Sequence, residues 1–212
     1  MVTGIKSFFL KGPAGRLEAL LNEGRPDATH AALVCHPHPL YGGTMHNKVV
    51  YRLARGLRRA GIAVLRFNFR GVGGSAGVFD SGKGEMEDYR AALDFMSARY
   101  PGTPLWAAGF SFGSWVGLET GAADPRVSVL IGIAPPVARE GYTFENTLES
   151  TKPKFLVQGD LDELCPIQSM WAFYAKLKEP KELVVIDGAS HLFEGKTREV
   201  GDALEGLLGD FE

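Results

Sequence analysis

The segment of the sequence that says most about its fold is Leu105-Trp106-Ala107-Ala108-Gly109-Phe110-Ser111-Phe112-Gly113. Its apolar beginning, Leu105 to Gly109, predicts a buried strand, and the residues from Phe112 to Ala123 predict a helix that follows almost at once. Between them lies a G-x-S-x-G pattern, in which a sharp strand-to-helix turn lifts a serine hydroxyl above a sheet. Ser111 is therefore a candidate nucleophile, although a glycine-flanked serine can also serve only as a helix cap.

Glycines recur around this turn for a steric reason. The neighbouring chain crowds such a turn, so a Cβ at Gly109 or Gly113 would collide with it. Gly113, Gly117 and Gly121 fall at helical spacing, and we expect that face of the helix to approach the sheet closely. Glycine accounts for 27 of the 212 residues, which predicts many tight turns in an ordered fold.

The rest of the chain alternates between short apolar runs and stretches with helical spacing. Runs that are apolar throughout are typical of strands covered on both faces, so we predict an α/β fold with a doubly wound, mostly parallel sheet. An antiparallel hairpin, Ile5–Leu10 with Arg16–Asn22, precedes it. The further predicted strands are Ala31–Cys35, Ile62–Phe67, Leu105–Gly109, Val127–Ala134, Phe155–Gln158 and Leu183–Ile186. The predicted helices are Asn47–Ala60, Glu85–Tyr100, Phe112–Ala123, Ile167–Leu177 and Thr197–Leu208.

Composition excludes several classes of protein. The 212 residues carry 23 Lys and Arg against 25 Asp and Glu, a formal charge of -2, so no excess of positive potential attracts nucleic acid or an anionic membrane. The length predicts a single domain over residues 1–212. Met1 to Leu10 does not have the pattern of a signal peptide, and two cysteines are too few for a disulfide scaffold. We expect a cytoplasmic protein that acts on small molecules, as a monomer or a small homo-oligomer.

The loops after the predicted strands hold candidates for a base and an acid. A serine hydroxyl is a poor nucleophile unless a base removes its proton and a third group holds that base. His191 follows strand Leu183–Ile186 through a short turn, at the edge of the sheet where the serine is expected. Asp162, in the loop after Phe155–Gln158, is the preferred acid and Asp160 is the alternative. The neighbouring Glu163 is expected to be exposed.

Two backbone N–H groups are expected to stabilise a developing oxyanion. One is that of Phe112, directly after the candidate nucleophile. The second is expected from the loop that begins His36-Pro37-His38-Pro39-Leu40, where the two prolines carry no N–H. His38 is preferred because it lies nearer the strand end, and Leu40 is the alternative.

Two other motifs are better explained by structural roles than by ligand binding. His36, His38 and His46 have a spacing that zinc ligands can use, but no suitable acidic or cysteine ligand stands nearby, so we predict no metal. Gly71 to Ala76 fits a loose dinucleotide pattern without the strand and acidic residue that ribose recognition needs. We read it as a turn beside the site and predict no cofactor.

Four segments together resemble the small α/β-hydrolases of the dienelactone-hydrolase-like group, often described only as predicted hydrolases or carboxylesterases. They are Gly109–Gly113, His36–Met45, Asn68–Ser75 and Gly159–Asp162. The resemblance spans nearly the whole chain and implies an α/β-hydrolase fold with a Ser-Asp-His triad, in agreement with the order Ser111, Asp162, His191. Dienelactone hydrolase carries a cysteine nucleophile; with Ser111 in its place, ordinary ester hydrolysis is favoured.

The segment between the fourth and fifth parallel strands, Pro135 to Lys154, is too short for a lid domain, so we expect an open site. An open, partly apolar site favours short-chain, soluble esters. The same triad could instead serve a thioesterase, an acyltransferase or a small peptidase, and a non-catalytic binding module is a further alternative. The residues expected to line an acyl pocket are Pro135, Pro136, Val137, Trp171, Leu192 and Phe193.

Overall fold

The computed structural model describes residues 4–25 and 28–209 and builds them around one eight-stranded sheet. The order across the sheet is β1-β2-β4-β3-β5-β6-β7-β8. The strands are β1 Ile5–Gly12, β2 Gly15–Asn22, β3 Ala31–Cys35, β4 Ala63–Phe67, β5 Leu105–Phe110, β6 Val127–Ile133, β7 Lys154–Gly159 and β8 Lys181–Ile186. The helices are α1 Lys48–Arg59, α2 Lys83–Arg99, α3 Phe112–Ala123, α4 Glu145–Glu149, α5 Ile167–Lys176 and α6 Thr197–Gly209.

The predicted fold class is confirmed. β1 and β2 form the antiparallel hairpin, β2 joins β4 in antiparallel register, and every pairing from β4 to β8 is parallel. The carboxyl ends of the parallel strands meet at one edge, where Cys35 pairs with Gly109 and Gly159 pairs with Ile186. The loops that carry the candidate residues therefore leave the sheet side by side.

Helices cover both faces of the sheet, which explains why its central strands are apolar throughout. On one face α2, α3 and α5 pack against a cluster that contains Phe67, Leu118 and Phe173. On the other face α1 and α6 pack against a cluster that contains Leu53, Val64 and Leu204. Burial of these side chains is the main source of stability, at roughly 25 cal/mol for each Å² of apolar surface removed from water.

Two short elements were not predicted, a 3-10 turn at Pro39–Tyr41 and α4. The segment between β6 and β7 holds only a loop and this five-residue helix, so the expected absence of a lid domain is confirmed. Met1 to Thr3, from the segment inspected for a signal peptide, lie outside the described residues. None of the helices within the described ranges is both long and apolar enough to cross a bilayer.

Candidate active site

Ser111 lies at the sharp turn between β5 and α3. Its φ of 53° is in the left-handed region, which a residue with a side chain adopts only where the surroundings hold it. Its N–H donates to the carbonyl oxygen of Ile133 on the neighbouring strand at 2.8 Å. A Cβ on Gly113 would overlap the carbonyl oxygen of His36, and one on Gly109 would overlap the backbone of Gly113. Glycine on both sides of the serine is therefore a packing requirement of this turn.

The structure brings Ser111, His191 and Asp162 into one hydrogen-bonded chain. Nε2 of His191 lies 2.9 Å from Oγ of Ser111, and Nδ1 lies 2.8 Å from Oδ2 of Asp162. The distances fit a ring whose Nδ1–H donates to the carboxylate, which leaves Nε2 to accept from the serine hydroxyl. Residues that are 80 and 29 positions apart in sequence thus meet because their strands end at the same edge.

The carboxylate of Asp162 is fully buried and accepts several hydrogen bonds besides that of the histidine. Oδ1 accepts from the N–H groups of Leu164 at 2.9 Å and Cys165 at 2.8 Å. Oδ2 accepts from Nε2 of Gln158 at 2.8 Å as well as from His191. These donors fix the orientation of the carboxylate toward the ring.

The other two acidic residues of this loop have different surroundings. The hydrogen bonds of the His191 ring go to Asp162 and Ser111, whereas the buried Oδ1 of Asp160 has no hydrogen-bond partner among the described residues. Glu163 is exposed, as predicted, but its Oε2 accepts from the backbone N–H of His191 at 3.1 Å. Sequence reasoning missed this contact because it depends on how two loops meet.

The two loops that carry Asp162 and His191 are joined through their backbones. The N–H of Leu161 donates to the carbonyl oxygen of Ala189 at 3.0 Å, and a Cβ on Gly159 would overlap that carbonyl. On its other side the ring of His191 lies against Phe110, with the ring centroids 5.5 Å apart. The position of the histidine is therefore defined from several directions.

Two backbone N–H groups flank Ser111 without a partner. Within the described part of the chain, no hydrogen bond uses the N–H of Phe112 or that of His38. The N–H of Leu40 instead donates to Nδ1 of His38 at 3.2 Å. Of the two N–H groups considered in this loop, only that of His38 has no hydrogen-bond partner among the described residues.

His36 is a buried structural residue. Its Nδ1–H donates to the carbonyl oxygen of Pro37 at 2.7 Å, and its Nε2 accepts from the N–H of Phe69 at 3.0 Å. Burial lowers its pKa from 6.5 to about 4, so the ring is neutral at ordinary pH. Both ring nitrogens are occupied, and no group of three or more His, Cys, Asp or Glu in the described residues could hold a metal.

The rings around His38 form one wall of the site. The His38 ring lies 4.7 Å from that of Tyr41 and 5.0 Å from that of Phe112, measured between centroids. Burial lowers the pKa of His38, and the nearby guanidinium of Arg139 lowers it further. This wall presents neutral aromatic surface beside the candidate nucleophile.

A cavity of about 330 Å³ opens next to Ser111. Of the residues expected to line it, Pro136 and Leu192 do. Phe193 does not, because its φ of 51° turns the side chain into the core, where it is fully buried against Phe110. Trp171 is 53% exposed on α5 and does not reach the cavity.

Val137 also faces away from the cavity and packs against the core cluster that includes Cys165. Among the lining residues that sequence reasoning missed, four have large side chains, and they lie outside the long helices and strands, where no hydrophobic period reveals them. They are Tyr41, Arg139, Tyr142 and Leu164.

The glycine-rich turn after β4 does not line the cavity, contrary to its reading as a turn beside the site. It holds the N-terminal hairpin: the N–H of Gly74 donates to Oε2 of Glu18 at 2.8 Å. The N–H of Ala76 donates to the carbonyl oxygen of Arg16, also at 2.8 Å. These contacts give the turn a structural role that involves no nucleotide.

Comparison with known proteins finds similarity over the whole chain. A family model described as serine aminopeptidase, S33 matches residues 29–150. An uncharacterized protein of Rickettsia prowazekii is 37% identical over 207 residues, which covers 94% of this chain and 87% of that protein.

Two solved structures show the same likeness in three dimensions. An α/β serine hydrolase homologue from Coxiella burnetii is 41% identical with a TM-score of 0.88, over 96% of this chain and 97% of that one. An α/β serine hydrolase without lid from Xanthomonas campestris is 39% identical with a TM-score of 0.89, over 100% of this chain and 96% of that one.

Proposed function

Because the chain belongs to the α/β-hydrolase family whose model is described as serine aminopeptidase, S33, we propose that it hydrolyses short-chain carboxylic esters. Ser111 is the nucleophile, His191 the general base and Asp162 the residue that orients the base. The observation that carries this proposal is the chain of two hydrogen bonds, 2.9 Å and 2.8 Å long, that links the three side chains.

The proposed reaction is acyl transfer through a covalent intermediate. Oγ of Ser111 attacks the ester carbonyl carbon while its proton passes to Nε2 of His191. The N–H groups of Phe112 and His38 donate to the oxyanion of the tetrahedral intermediate, and each can be worth about 2.7 to 4 kcal/mol. The imidazolium, whose charge Asp162 stabilises, then protonates the departing alkoxide.

Water completes the cycle by the same groups in reverse roles. His191 removes a proton from a water molecule, whose oxygen attacks the acyl carbon of the serine ester. The second tetrahedral intermediate collapses to a carboxylic acid, and the proton on His191 returns to Oγ of Ser111.

The cavity supports a short acyl or alkyl group. Its volume of about 330 Å³ is at the lower end of the range of roughly 300 to 1,000 Å³ for small-molecule sites, and aromatic rings and aliphatic side chains supply much of its wall. The absence of a lid leaves long apolar chains without further surface to bind.

The charges of the cavity favour an ester over an N-terminal peptide. An aminopeptidase must hold the α-ammonium group of its substrate, for which a carboxylate is the natural partner. No Asp or Glu is among the described residues that line the cavity, and Arg139 would repel an ammonium group. Aminopeptidase activity, which the family model names, is the less favoured alternative.

The test is a panel of p-nitrophenyl esters from acetyl to dodecanoyl, with an acyl thioester and an aminoacyl anilide, assayed on the parent protein and on Ser111→Ala. We expect the highest kcat/KM for acyl chains shorter than about ten carbons, and a loss of turnover on the order of 10⁶ in the variant. Ser169→Ala, on α5 away from the cavity, is the matched control.

A fluorophosphonate probe gives an independent readout, since it labels only an activated serine. We expect labelling of the parent and of Ser169→Ala, and none of Ser111→Ala. Ester hydrolysis that survives Ser111→Ala would show that another group is the nucleophile. If the parent neither takes the label nor cleaves any of the substrates, a non-catalytic binding module replaces the proposal.

A further inference from the structure

A second cavity, of about 170 Å³, lies between α1 and the strands β1, β2 and β4, at the edge of the sheet that the hairpin forms. From the sheet it is lined by Ile5, Asn22 and Arg66. Asn22 pairs with Ile5 on one side and with Val64 on the other, and Arg66 lies two positions beyond Val64. Because side chains alternate along a strand, these side chains emerge on the same face, the face that α1 covers.

The helix contributes four side chains at the spacing of a single helical face. Tyr51, Ala54, Arg55 and Arg58 are at positions i, i+3, i+4 and i+7 of α1, and all four line the cavity. The guanidinium carbon of Arg66 lies 5.9 Å from the centroid of the Tyr51 ring, so the two sides of the cavity are in contact.

Two of the sheet residues carry buried donors without partners. Arg66 is 5% exposed and Asn22 is 6% exposed. One terminal nitrogen of Arg66 donates to the carbonyl oxygen of Met45 at 3.0 Å, but its Nε has no hydrogen-bond partner among the described residues, and neither has Nδ2 of Asn22. Buried donors are nearly always paired, since an unpaired one costs about 1 to 3 kcal/mol.

The charges around the cavity have one sign. None of the described residues that line it is acidic, and no carboxylate in the described ranges is paired with Arg66. The nearby Glu23 is engaged elsewhere, with Lys6 at 2.9 Å and with Arg99 at 2.6 Å. A buried arginine without a counterion is costly, and burial lowers the pKa of Arg66.

We propose that this cavity binds a phosphate group, held by the guanidinium groups of Arg55, Arg58 and Arg66. Arginine carries only hydrogen-bond donors, and its fork matches the oxygen geometry of phosphate. Three guanidinium groups suit a dianion better than a monovalent ion. The volume admits the phosphate alone or the phosphate end of a small phosphorylated metabolite, but not a nucleotide in full.

Isothermal titration calorimetry tests the proposal with two probes, inorganic phosphate and glycerol 3-phosphate, on the full-length protein. We expect a single site with a Kd of about 0.1 to 1 mM for at least one probe. Similar affinity for both probes identifies the bare ion as the ligand, whereas tighter binding of glycerol 3-phosphate identifies a phosphorylated metabolite. The absence of heat from both probes at about 10 mM would overturn the proposal.

Matched variants separate the cavity from the general charge of α1. Arg55→Gln with Arg58→Gln should weaken binding by about tenfold or more. Arg52→Gln with Arg59→Gln removes the same charge from the same helix outside this cavity and should bind as the parent does. An equal loss in both arginine pairs would mean diffuse attraction and would contradict a built site.

Discussion

The backbone N–H of His191 donates to the carboxylate of Glu163 at 3.1 Å. Nδ1 of the same histidine forms its hydrogen bond with the carboxylate of Asp162, the residue before Glu163. Two adjacent acidic residues therefore hold one histidine in different ways, one through its main chain and the other through its side chain. Only the second contact sets the tautomer of the ring.

The first prediction concerns this division of roles. Asp162→Asn should lower kcat for a short-chain ester by about 10⁴, because the amide no longer fixes the tautomer that leaves Nε2 free to accept a proton. Stopped assays on the purified variant, with its fold checked by circular dichroism, measure the effect.

Two neighbours serve as controls for Asp162. Asp160→Asn makes the same chemical change two residues away, at a carboxylate that does not hydrogen-bond to the His191 ring in the described structure, so kcat should stay near the parent value. Glu163→Gln retains an oxygen to accept from the N–H of His191 and should have a small effect. A loss of kcat in Asp160→Asn as large as that in Asp162→Asn would show that Asp162 is not the acid.

The second prediction concerns the backbone of the oxyanion loop. His38→Pro removes the N–H at a residue whose φ, -52°, already suits proline, and should lower kcat by about 10² to 10³ with little change in KM. His38→Ala removes the same imidazole but keeps the N–H. Equal rates in the two variants would exclude this N–H as an oxyanion donor.

The third prediction concerns the close approach of α3 to the sheet. Gly113→Ala should reduce the free energy of unfolding by roughly 1 to 3 kcal/mol or more, because the new Cβ meets the carbonyl oxygen of His36. Gly117→Ala lies one turn further along the helix, where a Cβ would meet the carbonyl oxygen of Ala108 at an ordinary 3.6 Å.

Urea denaturation of both variants checks this prediction. Gly117→Ala should be neutral or up to about 1 kcal/mol more stable than the parent, since alanine is the better helix former. A stable Gly113→Ala variant with parental activity would show that the turn has room that the structure does not.

The fourth prediction concerns acid stability. His36 has a pKa of about 4 in the folded protein against 6.5 ordinarily, so between these values the unfolded chain binds the extra proton. The free energy of unfolding should therefore fall as the pH drops through this window, by about 2 kcal/mol between about pH 7 and about pH 5 from this residue.

Denaturation at both pH values, on the parent and on His36→Gln, isolates this contribution. The variant is less stable at neutral pH, but its loss of stability on acidification should be smaller by about 2 kcal/mol. His46→Gln, which replaces an exposed histidine, should follow the parent. Parallel pH profiles for the parent and His36→Gln would contradict the burial argument.

Much of the fold could be predicted because its elements have clear ends. Strand Ala31–Cys35 and helix Phe112–Ala123 occur with the bounds that the sequence predicts, since a five-residue apolar run and a glycine-flanked serine mark them sharply. The short turn at Pro39–Tyr41 and the helix Glu145–Glu149 were missed because neither is long enough to show a helical period.

The meeting of Ser111, Asp162 and His191 was also predictable, since parallel strands place the loops that follow them at a common edge. The wall of the cavity was not. Phe193 lies two residues after His191 in sequence, yet a positive φ directs its side chain into the core. Arg139 reaches the cavity from an irregular loop in which no sequence period indicates the direction of a side chain.

The connection between β6 and β7 has no lid domain, and this bears on which step limits the rate of the proposed reaction. An enzyme that must close a flap over its substrate often turns over at the rate at which that flap reopens. Here the residues between β6 and β7 form no flap that would have to reopen before the products leave. Turnover should then follow the basicity of the leaving alcohol and be nearly indifferent to the viscosity of the solvent.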